Sequence, residues 1–282
     1  MGIVTASDPE PTPDRQPDSA GAPGSLSRRR LALAGLAGAI PLIPIVIALV
    51  LSSGGPNGTA AATAGALYTP VAQTPAAPQS SVPTGKGVLV ALVKHPTAMR
   101  SGPGAHAYAK LPRRTEFGSP EALWVVRRSG RWLGVISPLA GNGRVGWIPA
   151  ADTSLSRVNW ALKVSLATRR LEVVFGGHVV ERYKVAIGAS ASPTPTGRFA
   201  VSDRLRTGDP SGPYGCCILA LTAKAPHAIQ GWNGGNRIAI HSTPEAWTIG
   251  QAISHGCVRL TLAEGRWLLG HIPLGTPTLI SS

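Results

Sequence analysis

Hydrophobic and polar positions divide this chain into regions of different texture. Residues 1–30 hold Pro, Asp, Ser and Gly with few aliphatic side chains, and read as a disordered tail. Leu31 to Leu51 is an uncharged apolar run. At about 1.5 Å per residue it covers roughly 30 Å, the depth of a bilayer core, and predicts one transmembrane helix. Pro41 and Pro44 fall inside it, and lipid-embedded helices tolerate such kinks. Arg28, Arg29 and Arg30 precede it, so the tail is expected in the cytoplasm and everything after Leu51 outside. A cleaved signal peptide with a small-residue site in Thr59–Ala66 is the rival reading, but the run is longer than a usual signal core. Residues 52–85 return to Ala, Thr, Pro, Gly, Ser and Gln, the composition of an extended linker that reaches up to roughly 100 Å.

From Lys86 onward the texture becomes short strands. Val88–Lys94 is nearly all apolar, Trp124–Arg128 and Arg131–Ile136 flank a turn at Ser129-Gly130, and Val145–Pro149 follows. Several strands without a helical stretch predict a small β-barrel over residues 86–155. The order Met-Arg-Ser-Gly-Pro, Arg-Trp-Leu-Gly-Val, Gly-Trp-Ile-Pro-Ala resembles bacterial SH3-like modules, with Trp132 and Trp147 expected in the core.

A second unit is expected over residues 156–282. Strands are predicted at Trp160–Ser165, Arg170–Phe175, His178–Ala186, Arg198–Ser202, Cys216–Leu221, Arg237–His241, Cys257–Leu260 and Thr276–Ile280. The many tight turns predict antiparallel pairing. One helix stands out: Thr261 and Glu264 form a capping box ahead of Arg266–Gly270, and Pro273 closes the segment. The fold class is therefore mostly β, with one or two short helices.

Charge narrows the partners. Lys and Arg outnumber Asp and Glu by 27 to 13, a formal charge of +14. Residues 1–30 contribute nothing to the excess, because four acidic residues there balance four arginines. The folded part is thus basic and suits an anionic surface or polymer. Nucleic acid is not indicated, since the basic residues are scattered and lack an aromatic-rich binding signature.

Cysteine usage narrows the chemistry. The chain has 3 cysteines, an odd number for an exported protein. A bridge between the neighbours Cys216 and Cys217 would be strained, and on a strand their side chains point to opposite faces. Cys257 is left available. It lies in Ser254-His255-Gly256-Cys257-Val258-Arg259-Leu260, with His241 upstream at the end of Ile238-Ala239-Ile240. A thiol nucleophile needs a base or cation against an ordinary pKa of about 8.5, and backbone N–H groups for an oxyanion. Strand ends that meet would bring His241 to Cys257, while His255 lies two residues before it. The N–H groups of Gly256 and Cys257 are the candidate oxyanion donors. A zinc site finds no Cys-x-x-Cys or His-x-x-x-His pair, so no metal or cofactor is expected.

These residues resemble the signature of the L,D-transpeptidase catalytic domain. Ser-His-Gly-Cys-Val-Arg-Leu with an upstream Ile-His-Ser is similar to that family's motif. So are Tyr183–Phe199, where Ala-Ile-Gly precedes Thr-Pro-Thr-Gly-Arg-Phe, and Gly212-Pro-Tyr-Gly. The resemblance covers roughly residues 158–282 and implies a β-sandwich-like domain acting on peptidoglycan stem peptides. It implies that Cys257 attacks the carbonyl between the third and fourth residues of a tetrapeptide donor and releases D-Ala. His241 would take the thiol proton, with the Ser242 carbonyl orienting its imidazole. A diaminopimelate amine of an acceptor stem would resolve the thioester as a 3→3 cross-link. His255, Ser254 and Gly256 match positions that shape the site, Arg259 falls at a position that serves as substrate contact or structural support, and Trp247 and Tyr214 are further candidate substrate contacts. The connection from His241 to Ser254 is short for the family, which implies a small lid. Alternatives on the same residues are an L,D-carboxypeptidase and an enzyme attaching protein to the wall. The non-enzyme alternative is a wall-binding protein with a dead site. The expected place is the cell membrane, single-pass, with the catalytic domain on the wall side.

Overall fold

The computed structural model describes residues 69–72, 87–225 and 235–282. The tail at 1–30, the apolar run at 31–51 and most of the linker at 52–85 lie outside the described residues. Among the described residues no helix is long and apolar enough to cross a membrane. Part of the expected linker is strand: β1 (Thr69–Pro70) pairs antiparallel with Arg206 and Leu205 of the segment expected as the second unit. Pro70 can sit there because β1 forms an edge, where no ladder N–H is demanded of it.

The next strands are β2 (Val88–Val93), β3 (Thr97–Arg100), β4 (Ala107–Leu111), β5 (Ala122–Ser129), β6 (Trp132–Ile136), β7 (Gly146–Pro149) and β8 (Thr153–Val158). They form one sheet in the order β4-β3-β7-β6-β5-β2-β8. The β5–β6 hairpin turns at Gly130, whose φ of 53° explains the glycine there. Leu89, Ala91, Val93, Met99, Leu123, Leu133, Val135 and Ile148 fill the interior. Trp132 and Trp147 are not part of that core: both are half-buried, and Trp132 lies between the guanidiniums of Arg100 and Arg131 at 5.4 and 5.5 Å. A Cβ on Gly146 would come within 2.5 Å of the Met99 sulfur.

The remaining strands are β9 (Trp160–Ser165), β10 (Arg170–Phe175), β11 (His178–Lys184), β12 (Ile187–Gly188), β13 (Gly197–Arg206), β14 (Cys217–Lys224), β15 (Arg237–Ser242), β16 (Ala252–Ser254), β17 (Val258–Leu260) and β18 (Pro277–Ser281). Their main sheet runs β11-β10-β9-β18-β13-β14-β15-β17, and β12 pairs separately with β16. The expected antiparallel rule fails at three places, since β15–β17, β9–β18 and β12–β16 are parallel. Parallel neighbours need a long crossover, and the connection from Thr243 to Cys257 supplies one between β15 and β17. Helix α1 (Leu262–His271) starts at the predicted capping box, with Glu264 N–H donating to Thr261 Oγ1 and Thr261 N–H to the Glu264 carboxylate.

Side chains from both ends of this sheet meet in one core. Leu162, Val164, Leu171 and Val173 come from one half, and Phe199, Val201, Leu219, Leu221, Ile238, Ile240 and Val258 from the other. Leu268 and Leu269 of α1 close it. Val90, Ala122 and Val158 of the first sheet enter the same core, so the two sheets share one compact unit, Thr59–Ser282. Polar links join them too: Thr115 Oγ1 donates to Asp203, and the Asn142 side-chain amide bonds both backbone groups of Lys224.

Candidate active site

Strand alternation decides which residues of β15 meet. Ile238 and Ile240 enter the main core, so Arg237, Ala239 and His241 point to the opposite face. Cys257 stands immediately before β17, one step ahead of the Ile240–Val258 parallel pair. It packs with Ala239, Leu205 and Ile218 on that same opposite face. His241 and Cys257, sixteen positions apart in sequence, therefore share one face at the joined ends of two neighbouring strands.

The turn that presents Cys257 is built from buried polar pins. Gly256 has φ 111°, which side-chain-bearing residues rarely adopt, and a Cβ there would come within 2.9 Å of Ile238 Cδ1. Ser254 Oγ accepts the Gly256 N–H at 3.2 Å and donates to the Cys257 carbonyl at 2.5 Å. Thr194 Oγ1 donates to the Gly256 carbonyl at 2.9 Å and accepts the Gly188 N–H at 2.8 Å. This corrects one expectation: the Gly256 N–H is committed to holding the turn, which leaves the Cys257 N–H as the candidate oxyanion donor. Thr194 falls inside the Thr-Pro-Thr-Gly segment, but nothing in the sequence connects that loop to the cysteine turn.

Electrostatics define the resting state. His241 is 3% exposed, and burial pushes its imidazole down to about 4, with Arg259 acting in the same direction. The Ser242 carbonyl opposes this, lying 2.8 Å from His241 Nδ1. A carbonyl oxygen only accepts, so Nδ1 carries the hydrogen and the neutral ring offers Nε2 as the base. Burial likewise pushes the Cys257 thiol up to about 11, against smaller opposing effects of the Ala239 backbone and Arg259. The neutral thiol and imidazole are thus the resting pair, and a separated thiolate–imidazolium pair is the minority form. Such a pair can deprotonate sulfur as it attacks, the work of a general base.

The other expected residues are arranged unequally around this pair. The Tyr214 ring meets the His241 ring edge-on, with centroids 5.0 Å apart. Arg259 is held by Glu245 at 3.0 Å and by two backbone bonds to Ala186. Trp247 sits on a single 3-10 turn in the β15–β16 connection and is 66% exposed. His255 is exposed, on the outer side of the cysteine turn. Ser242 Oγ accepts the Cys217 N–H at 3.1 Å, so Ser242 is fixed from both its carbonyl and its hydroxyl.

Cys216 and Cys217 depart from expectation. They are joined as a disulfide, and Cys257 is the free cysteine. The strand argument failed because β14 begins only at Cys217. Cys216 belongs to the turn after Gly215, whose φ of 54° redirects the chain and brings the two sulfurs to one side. Cys216 Sγ lies 3.4 Å from Ser242 Oγ.

Residues 159–280 match the family model of the YkuD L,D-transpeptidase catalytic domain. The putative L,D-transpeptidase YkuD of Bacillus subtilis (strain 168) is 28% identical over 124 residues, 44% of this chain and 67% of that protein. Putative L,D-transpeptidase YqjB of the same organism is 29% identical over 128 residues, 42% of this chain and 69% of that protein. Among solved structures, an L,D-transpeptidase from Mycobacterium smegmatis aligns over 54% of this chain and 90% of its own, at 17% identity and a TM-score of 0.35. The family motif residues lie within the segment, residues 159–280, that matches the model of the L,D-transpeptidase catalytic domain.

Proposed function

We propose that this protein is a cysteine-dependent L,D-transpeptidase that forms 3→3 cross-links in peptidoglycan from the outer side of the cell membrane. Cys257 Sγ attacks the carbonyl between the third and fourth residues of a tetrapeptide stem, and His241 Nε2 takes its proton. The Cys257 N–H stabilises the oxyanion. As the C–N bond breaks, the imidazolium returns the proton to the departing D-Ala amine, leaving a thioester. The diaminopimelate side-chain amine of an acceptor stem then attacks that thioester. His241 takes the amine proton and delivers it to sulfur, which restores the thiol.

The observation that supports this reading is the His241 Nδ1 bond to the Ser242 carbonyl, which frees Nε2 on the face shared with Cys257. The +14 formal charge suits an anionic wall. The apolar run 31–51 with Arg28–Arg30 before it supports a single membrane anchor, and it accounts for the long spacer that follows.

Incubation with a disaccharide-tetrapeptide, beside Cys257→Ala, tests the reaction. Mass spectrometry should find a dimer that has lost one D-Ala in the wild type and none in the variant. Tripeptide alone would make the protein a carboxypeptidase, and turnover by Cys257→Ala would remove the nucleophile from the scheme.

A further inference from the structure

Phe117 lies on the β4–β5 connection of the first sheet, 140 positions before Cys257, yet its ring packs against the cluster of Leu205, Ile218, Ala239 and Cys257. The segment that carries it is tied down on both sides. Thr115 Oγ1 donates to Asp203 of β13, and the Glu116 carboxylate pairs with Arg237 at the head of β15. Arg237 Nε in turn donates to the Leu221 carbonyl of β14 at 2.9 Å. The segment is also closed on itself, with the Thr115 N–H donating to the Ser119 carbonyl at 2.9 Å and the Gly118 N–H to the Thr115 carbonyl at 3.0 Å. Every attachment is to the face of β13–β14–β15 that carries His241 and Cys257. With this segment in place Cys257 is 8% exposed and His241 3%.

We propose that the β4–β5 loop forms a wall of the cleft leading to Cys257, with Phe117 as the residue that contacts the apolar part of the acyl donor. The first sheet then takes part in substrate selection, which deepens and rests on the thioester reading above. An acyl carbonyl must come within about 3–3.5 Å of the sulfur to react. The sulfur sits in an apolar cluster bordered by two aromatic rings, Tyr214 from the catalytic part and Phe117 from the first sheet. Tyr214 is already assigned to the imidazole side by its contact with His241. Phe117 supplies the other border: a rigid apolar surface that needs little ordering on binding. Its anchors are a buried carboxylate and a buried guanidinium, so the wall has a fixed position relative to the nucleophile.

Phe117→Ala and Phe117→Leu in the full chain test this by three readouts. Alkylation of Cys257 by iodoacetamide should run several-fold faster in Phe117→Ala, because part of the cover over the thiol is gone. KM for the disaccharide-tetrapeptide should rise about ten-fold while kcat stays within about two-fold, as expected for lost apolar contact with the donor. Phe117→Leu keeps an apolar side chain, should fold normally, and should lie between wild type and Phe117→Ala in both. An unchanged alkylation rate in both variants would overturn the wall. So would a fall in kcat and in melting temperature with KM unmoved, the pattern of a junction filler. Failure of the wild type to turn over the tetrapeptide would count against the thioester reading alone, and alkylation would then decide the wall.

Discussion

Replacing Ser254 by alanine isolates the turn that presents Cys257. Ser254 is 2% exposed, and its hydroxyl is the partner of both the Gly256 N–H and the Cys257 carbonyl. Alanine keeps the backbone but leaves both groups in a buried setting without that partner. A neutral hydrogen bond contributes about 0.5–1.5 kcal/mol net, and an orphaned buried donor costs about 1–3 kcal/mol. Gly256 holds φ 111° in this turn, so a loosened turn relaxes toward commoner backbone angles. The sum is a loss of about 2–4 kcal/mol, which for a folded unit of this size corresponds to a fall in Tm of roughly 2–4 °C per kcal/mol. Activity should fall further than stability, since displacement of a nucleophile by about 1 Å costs on the order of 100-fold in rate. Urea denaturation with a shared m-value measures the first quantity, and the acylation rate of Cys257 by a carbapenem measures the second. Loss of stability under about 0.5 kcal/mol, or wild-type acylation, would refute the view that Ser254 holds this turn.

Titration offers two further predictions of opposite sign. His241 falls from an ordinary 6.5 to about 4 on burial, so the unfolded chain binds more protons and stability drops as pH falls from 6.5 through 4. The contribution is about 3 kcal/mol, and His241→Gln should show a flatter loss of urea midpoint between pH 7 and 4; parallel curves would argue against a buried neutral imidazole. Glu121, 5% exposed beside Asp203, is raised from 4.5 to about 8 by burial and by that second carboxylate. Its stabilising contribution is complete below 4.5 and is lost as pH rises through 8, so Glu121→Gln should raise Tm at pH 8–9 and change it less at pH 5. Thiol titration of the denatured, unreduced protein should find one reactive group, Cys257, and three after reduction, as the Cys216–Cys217 disulfide requires; three without reductant would remove that bridge.

Much of the local structure was legible because it depends on short-range chemistry. The strands at 160–165 and 170–175 and the Thr261–Glu264 capping box follow from alternation and cap geometry, which involve only residues a few positions apart. Parallel pairing was not legible, because it depends on where a long connection lands. The tryptophans misled for a related reason: whether Trp132 and Trp147 enter a core depends on which neighbours fill the interior, and aliphatic side chains with Met99 fill it instead. The Cys216–Cys217 disulfide was missed because strand alternation was assumed one residue too early, where Gly215 turns the chain.

The site divides along the same line. The types and order of its reactive groups are properties of the sequence: a free thiol in Ser-His-Gly-Cys, a strand-end histidine followed by Ser242, and a glycine where only glycine fits. Their states and surroundings are properties of the assembled fold. Burial at the shared face of β15 and β17 makes both His241 and Cys257 neutral at rest, and long-range packing brings Thr194 and Phe117 to the cysteine turn. Sequence proximity carries no information on these points, because desolvation and contact depend on what other segments cover. The candidate thiol and imidazole were therefore readable from the chain, and their burial was decided only when the two sheets packed into one unit.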